Sequence, residues 1–463
     1  MQLKRILKNV ALLFIITGVS YGVHYCSVSF PIISGYGAKD ICSAVFISNR
    51  NSEQVISQEL GKFPLSLGSF KVNYQDSSVT GSVFGFAKCK AIYRKGLGAT
   101  LLADMSEEDF RKQHFAVANP PVINQDTVDW PLGNKLNDSL PDEVDIIKLQ
   151  QAVQSYFKEQ DTLKPMRTRA VVVLYDGNLI YEQYARGYTK NSKLIGWSMT
   201  KSVTSALIGI LVKNGKLNLD EPAPVPEWEN VNDPRHAITL RNLLQQSSGL
   251  DFLEDYTKSS DATNMLFRNA DMAAYTASRP IKHKPGSVFY YSSGNTNVLS
   301  RIIRQVVGEN NYHSFPYDSL FYPIGMYSAV LEPDGSGTYV GSSYMYATAR
   351  DWARFGLLYM NRGMYTNKRI LTEDWMQQTA TPVSSTKQGD YGFQFWLNAG
   401  VNNNPDDRVY PHAPTDLYYM DGFEGQRVFI VPSKKLVVVR LGLTQYKNFD
   451  SDAFIGDVIS SIK

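Results

Sequence analysis

Apolar residues mark out the elements of this chain before any chemistry is considered. Val203, Ala206, Leu207, Ile210 and Leu211 recur at three- and four-residue steps, the period of an amphipathic helix, and Gly215 stands where a C-cap glycine belongs. The stretch from Asp142 to Gln160 has the same period, through Val144, Ile147, Leu149, Val153 and Phe157. Arg169–Tyr175 and Leu179–Tyr184 are β-prone runs flanking Asp176-Gly177-Asn178, a strong hairpin signal. Near the far end, Arg427–Val431 and Leu436–Leu441 predict a second hairpin through Pro432–Lys435, followed by a closing helix over Asp450–Ile462. The middle, from about 198 to 400, reads as helix and loop. The pattern therefore predicts an α/β (α+β) fold: an antiparallel sheet built from both chain ends, flanked by helices, with a helical region inserted.

Upstream, β-prone runs at Phe70–Tyr74, Ser78–Phe86 and Lys90–Arg94 lie between turn signals, with a helix expected near Glu53–Leu60. This predicts a small β-rich domain over 27–104, a polar Pro/Asn/Asp-rich linker over 105–141, and a main domain over 142–463. Lys4, Arg5 and Lys8 precede an apolar run from Val10 to about Val23, the grammar of an export signal. Residues 1–26 are therefore expected to be a signal or a membrane anchor. Gly18-Val19-Ser20 or Ser20-Tyr21-Gly22 offers a cleavage site.

The 463 residues carry a formal net charge of +3 with interleaved signs, so nothing points to nucleic acid. The scattered histidines have no paired ligand spacing, and no metal site is expected. The export signal implies an oxidising compartment, where Cys42 and Cys89 are expected to pair and close a long loop worth about 4 kcal/mol. Cys26 lacks the small residue that a lipid attachment site wants before it.

Three stretches carry candidate chemistry. In Gly196-Trp197-Ser198-Met199-Thr200-Lys201, the serine and lysine fall on one helical face at a helix start. That places a nucleophile beside a potential base, with free backbone N–H groups nearby to favour an oxyanion. Pro285–Asn297 leads through Phe289, Tyr290 and Tyr291 into Ser292 and Ser293, and a tyrosine beside a lysine can relay protons. Met420–Gln426 puts glycines at the start of a strand, where backbone N–H groups can approach a substrate closely.

In this order, the three stretches resemble the penicillin-recognising serine hydrolases, closest to the class C β-lactamase-like branch that includes esterases and 6-aminohexanoate-dimer hydrolase. Ile238–Leu250 and Tyr344–Gly356 look like supporting segments of that family. The resemblance covers about 142–463. It implies Ser198 as the acylated nucleophile, Lys201 as its base partner and Tyr291 as the proton shuttle to the leaving group. Tyr290 is the alternative, but Phe289-x-Tyr291-Ser292 fits the family's pattern better. Ser198 N–H and a backbone N–H near Gly422 and Phe423 would form the oxyanion hole, and Ser293 would line the substrate site. No cofactor is implied.

Two departures matter. Ser293 stands where β-lactamases of this branch carry Asn, and Met420-Asp421-Gly422 stands where they carry Lys-Thr-Gly. The expected activity is hydrolysis of a small-molecule or peptide-like ester or amide that lacks the β-lactam carboxylate or carries a cation, in an exported protein that is periplasmic or anchored facing outward. The alternatives are a β-lactamase or D,D-peptidase and, from another class, a non-catalytic envelope binding protein. Loops over 251–283 and 380–420 are expected to set specificity.

Overall fold

A computed structural model describes residues 2–136, 139–386, 388–445 and 448–463, and the chain divides into two compact units. The first takes the chain up to Arg94, Ala99–Lys112 and Leu253–Asp271; the second takes Lys95–Gly98, Gln113–Phe252 and Met272–Lys463.

The first unit is built on helix α1 (Gln2–Phe46) and α2 (Ser52–Glu59), with a sheet of β1 (Gly68–Asn73), β2 (Ser78–Val83), β3 (Phe86–Arg94) and β4 (Gly98–Leu101) in that order. α1 runs without interruption across the boundary expected after residue 26. Its first half is exposed, whereas Ile33, Ala38, Ile41 and Val45 are buried. The carbonyl of Ser34 leaves no room for a Cβ at Gly81, so helix and sheet meet here at backbone distance. Leu253–Asp271, expected to shape the substrate pocket, supplies the helix Asp261–Arg268 to this first unit.

The expected Cys42–Cys89 bridge is not formed, and Cys26, Cys42 and Cys89 all remain reduced thiols. Cys89 pairs in register with Gly81, which lies against Ser34. Cys42 is eight residues further along α1, about 12 Å of rise, beyond the reach of a disulfide. Its thiol approaches the carbonyl of Ser77. Burial pushes the Cys89 thiol up to about 11.

The expected linker carries a short helix, Glu107–Arg111, capped by Ser106; Asn137 and Asp138 lie outside the described residues. Its later part is held to the second unit by Trp130, whose indole N–H donates to the Gly177 carbonyl, and by Arg354, which donates to Pro131 and Gly133.

The second unit centres on a six-stranded antiparallel sheet made of β5 (Thr168–Tyr175), β6 (Asn178–Tyr184), β7 (Trp396–Leu397), β8 (Tyr418–Gly422), β9 (Gln426–Val431) and β10 (Leu436–Gly442). The order is β7-β8-β9-β10-β5-β6, so the sheet joins both chain ends through the β10/β5 pair, as the hairpin pattern predicted. Asp176 and Gly177, both at positive φ, make the two-residue hairpin turn.

Alternate strand residues serve two cores. Val171, Val173, Phe429 and Val438 pack with Leu149 and Val153 of α3 (Ile146–Ser155). The same core takes in Phe454, Ile455 and Val458 from the closing helix, Ser451–Ile459. Val172, Leu174, Val428 and Val439 face the larger core with α4 (Thr200–Lys213), α5 (Ser293–Val307) and α6 (Ala349–Met360). Gly356 lets α6 approach Val428 and Val437 closely.

α4 differs from the amphipathic helix expected, because it is buried on every side from Thr200 to Leu211. Its hydroxyls make this tolerable by donating to carbonyls: Ser202 to Gln394, Thr204 to Gly341 and Ser205 to Phe393. Gly215, at positive φ, closes it in a Schellman arrangement, with Lys216 N–H on Leu211 O and Gly215 N–H on Val212 O.

Candidate active site

The nucleophile candidate sits on a tight turn, Trp197–Met199, running directly into α4. Trp197 has φ +48, a costly conformation for a bulky side chain, which the surroundings must enforce. They do so from three sides. Gly196 N–H donates to Met345 O at 2.8 Å, the Trp352 ring fills the space where Gly196 would carry a Cβ, and Gly422 packs against Gly196 O with no room for a side chain. Ser198 is left half-exposed at the helix start.

Lys201, one turn along, is 1% exposed, and its Nζ donates to Ser198 Oγ at 3.0 Å, Ser293 Oγ at 3.0 Å and Ser342 O at 2.9 Å. Three acceptors match the three protons of an ammonium. The Tyr291 ring lies over the same nitrogen, 4.9 Å from its centroid. The structure thus brings Ser198, Lys201, Tyr291 and Ser293 together. Tyr290, the alternative, points outward at 44% exposure.

Tyr291 is held by residues to which sequence reasoning gave no role. Its ring stacks on Trp396 at 5.5 Å and meets Tyr391 edge-on at 6.1 Å. Beneath it, Gln246 Oε1 accepts from Ser292 N–H and Asn295 Nδ2, while Gln394 Oε1 accepts from Gln246 Nε2 and Thr296 Oγ1. Each amide is satisfied inside the core, and together they fix where α5 begins. Gln246 lies within Ile238–Leu250, a stretch that supported the family resemblance, whereas Tyr391, Gln394 and Trp396 carried no such signal.

On the opposite side, Gly422 ends β8 and Phe423 opens the turn to β9. Phe423 is 56% exposed and meets Trp197 edge-on at 5.9 Å. The turn is clamped from behind. Arg440, fully buried, donates to the carbonyls of Glu424 and Gly425, and Gln426 Nε2 donates to those of Phe423 and Gly442. Asp421 is ion-paired with Arg427. Burial pushes its carboxyl up, against the pull of Arg427 and Lys201. The arrangement has the parts for acyl transfer: a hydroxyl bonded to an ammonium, a tyrosine over that ammonium, and a glycine-lined backbone edge beside the nucleophile.

Comparison with known proteins agrees. The chain is 22% identical over 305 residues to 6-aminohexanoate-dimer hydrolase of Paenarthrobacter ureafaciens, covering 61% of this chain and 74% of that one. Among solved structures, a penicillin-binding protein homologue from Caulobacter crescentus matches with TM-score 0.55 and 16% identity over 71% of this chain and all of that one. A family VIII carboxylesterase matches with TM-score 0.54 and 13% identity over 71% and 99%. These two share the fold. Residues 153–454, about two thirds of the chain, match the Beta-lactamase family, so the chain belongs to that family and is a serine hydrolase related to esterases and amide hydrolases.

Proposed function

We propose that the protein is exported and cleaves an ester or amide bond through an acyl-enzyme at Ser198. The observation carrying this reading is the Lys201 ammonium, bonded at once to Ser198 Oγ and Ser293 Oγ beneath the Tyr291 ring. Ser198 Oγ attacks the substrate carbonyl as its proton passes to Tyr291, which enters the step as a phenolate held beside the Lys201 ammonium. The tetrahedral oxyanion is stabilised by the helix start and by backbone N–H groups near Gly422 and Phe423. The carbonyl re-forms as the C–O or C–N bond breaks, and Tyr291 delivers the proton to the leaving group. Water then adds to the acyl carbon, giving up its proton by the same route, and the acid departs as Ser198 is regenerated.

The substrate lacks the carboxylate of a β-lactam. Met420 stands where related β-lactamases carry the lysine of Lys-Thr-Gly, Asp421 beside it adds a carboxylate, and Arg427 is occupied by that carboxylate. The aromatic wall of Tyr291, Tyr391 and Trp396 suits an uncharged acyl or leaving group. The similarity to a 6-aminohexanoate-dimer hydrolase supports an amide or ester. Export is supported by Lys4, Arg5 and Lys8 preceding an exposed apolar helix, which serves as a signal or an anchor.

Intact-mass spectrometry after a fluorophosphonate probe tests this reading, with wild type and Ser198→Ala run beside a panel of p-nitrophenyl esters, anilides and β-lactams. One adduct on wild type, absent from the variant, is expected, together with ester or anilide turnover exceeding that of the β-lactams. A folded wild type that takes no adduct would overturn the hydrolase mechanism in favour of a binding protein.

A further inference from the structure

From Val10 to Ile16 the exposed part of α1 is apolar on every side. Leu13, Phe14, Ile15 and Ile16 are consecutive, hence about 100° apart on the helix, and are 63%, 74%, 62% and 53% exposed. From Val10 to Phe30 the helix rises about 30 Å, the thickness of a bilayer's hydrocarbon core. Beyond that point it enters the core of the first unit.

At the level of Phe30 the sheet carries a feature that folding alone does not explain. β2 and β3 are joined by a two-residue turn, Phe84-Gly85, with both residues at positive φ (+50 and +80). Asn-Gly suits that turn, whereas phenylalanine is disfavoured in the left-handed region. Yet Phe84 is 67% exposed and Phe86 is 70% exposed, so neither repays the strain by packing in a core. The Phe84 ring meets Phe30 edge-on at 6.0 Å, which fixes the turn beside the place where α1 passes from exposed to buried. The chain enters β1 at this same end of the sheet, Gly68 opposite Val83, and Phe63, five residues earlier, is 80% exposed. Lys88, two residues past Phe86, is exposed.

We propose that the β2–β3 turn is a second membrane contact. Phe84 and Phe86 sit in the headgroup boundary of the bilayer that α1 spans, with Lys88 at phosphate level, so the first unit meets lipid at two points. The proposal rests on reading α1 as a retained anchor. Burying exposed aromatic surface in the interface supplies the free energy that the turn forgoes in water. Lys4, Arg5 and Lys8 orient the helix with its start on the cytoplasmic side, which puts the turn on the outer leaflet.

The full chain in phosphatidylethanolamine/phosphatidylglycerol vesicles tests this, using a phospholipid with a diazirine high on its acyl chain. After illumination, adducts are located residue by residue by fragmentation mass spectrometry. Tyr74 is the internal control. It is 67% exposed like Phe84, but it lies in the β1–β2 turn at the opposite end of the sheet, against Phe46. Adducts are expected along residues 10–25, and on Phe84 and Phe86 at a level at least about tenfold above Tyr74. The Phe84→Asp/Phe86→Asp variant keeps the helix adducts and loses those on the turn. Helix adducts with Phe84 no higher than Tyr74 would overturn the second contact and leave the anchor standing. Protein without helix adducts would overturn both. Turns shielded by a second copy of the chain would give the first of these results.

Discussion

Ser-x-x-Lys occurs in this chain at Ser155–Lys158, Ser198–Lys201, Ser384–Lys387 and Ser460–Lys463, and the first two make an instructive pair. Both belong to the second unit and both lie at a helix end. Ser198 stands at the start of α4, where unsatisfied N–H groups and the positive end of the dipole favour an oxyanion. Ser155 is the last residue of α3, where carbonyls and the negative end oppose one; its hydroxyl donates to Ala152 O. Lys201 is buried against three acceptors, while Lys158 is exposed. Ser460 repeats the lesson: it caps the C-terminus of the closing helix, and Lys463 reaches away to Asp142 O. Spacing makes a nucleophile–base pair available. Helix polarity and burial decide whether it is built.

The sharpest way to break the comparison is to remove each lysine. On the proposed mechanism, Lys201→Met should lower kcat/KM by about 10³-fold or more, since it takes away the cation hydrogen-bonded to Ser198 Oγ. Lys158→Met should leave kcat/KM within about twofold, as an exposed side chain remote from any core does. Steady-state kinetics on one ester decides it; equal losses would mean that helix polarity has been misread.

Tyr291→Phe comes next. It keeps the stack on Trp396 and the ring over Lys201 but deletes the hydroxyl, so kcat should fall by about 10²- to 10³-fold with KM little changed. An unchanged kcat would move the proton shuttle elsewhere. Gly422→Ala should have a smaller effect on chemistry, about tenfold to 10²-fold, together with a stability loss of about 1–3 kcal/mol, because its Cβ would collide with Gly196 O and push β8 off the nucleophile turn. Kinetics and thermal unfolding read the two parts separately.

What the sequence disclosed follows the range of the interactions involved. Both hairpins of the main sheet, and the helix bearing Ser198 and Lys201, rest on local period and turn chemistry, and they stand where the pattern predicts them. The extent of α1 was hidden because Gly35, Gly37, Pro31 and several serines blur any periodicity after Val23; the helix persists there by packing against β2 and β3. The burial of α4 was hidden too. Ser202, Thr204 and Ser205 read as a polar face until their distant carbonyl partners are known. At the site, the three motifs were legible, but the parts that aim them were not. Trp396, Gln394 and Arg440 come from other elements of the fold, and their roles exist only once the chain is closed.

Ser293 gives the finest test, because it separates a lysine held by one neighbour from a lysine held by three. The β-lactamases that the motifs resemble carry Asn at this position; here a shorter hydroxyl accepts from Lys201 Nζ at 3.0 Å. Ser293→Ala removes one acceptor from a buried ammonium, a charge-assisted bond worth about 1.5–3 kcal/mol. Ser198 Oγ and Ser342 O remain, so the ammonium stays in place but is drawn harder onto Ser198. Activity should fall by about tenfold, less than for either Lys201→Met or Tyr291→Phe, with thermal stability slightly reduced. Ser293→Asn supplies an acceptor again and should recover most of the loss, measured as kcat/KM on the same ester. If alanine and asparagine were equally impaired, the fault would lie in space rather than in hydrogen bonding. If neither mattered, Ser198 and Ser342 would suffice to hold Lys201, and the difference from Lys158 would reduce to burial and helix polarity alone.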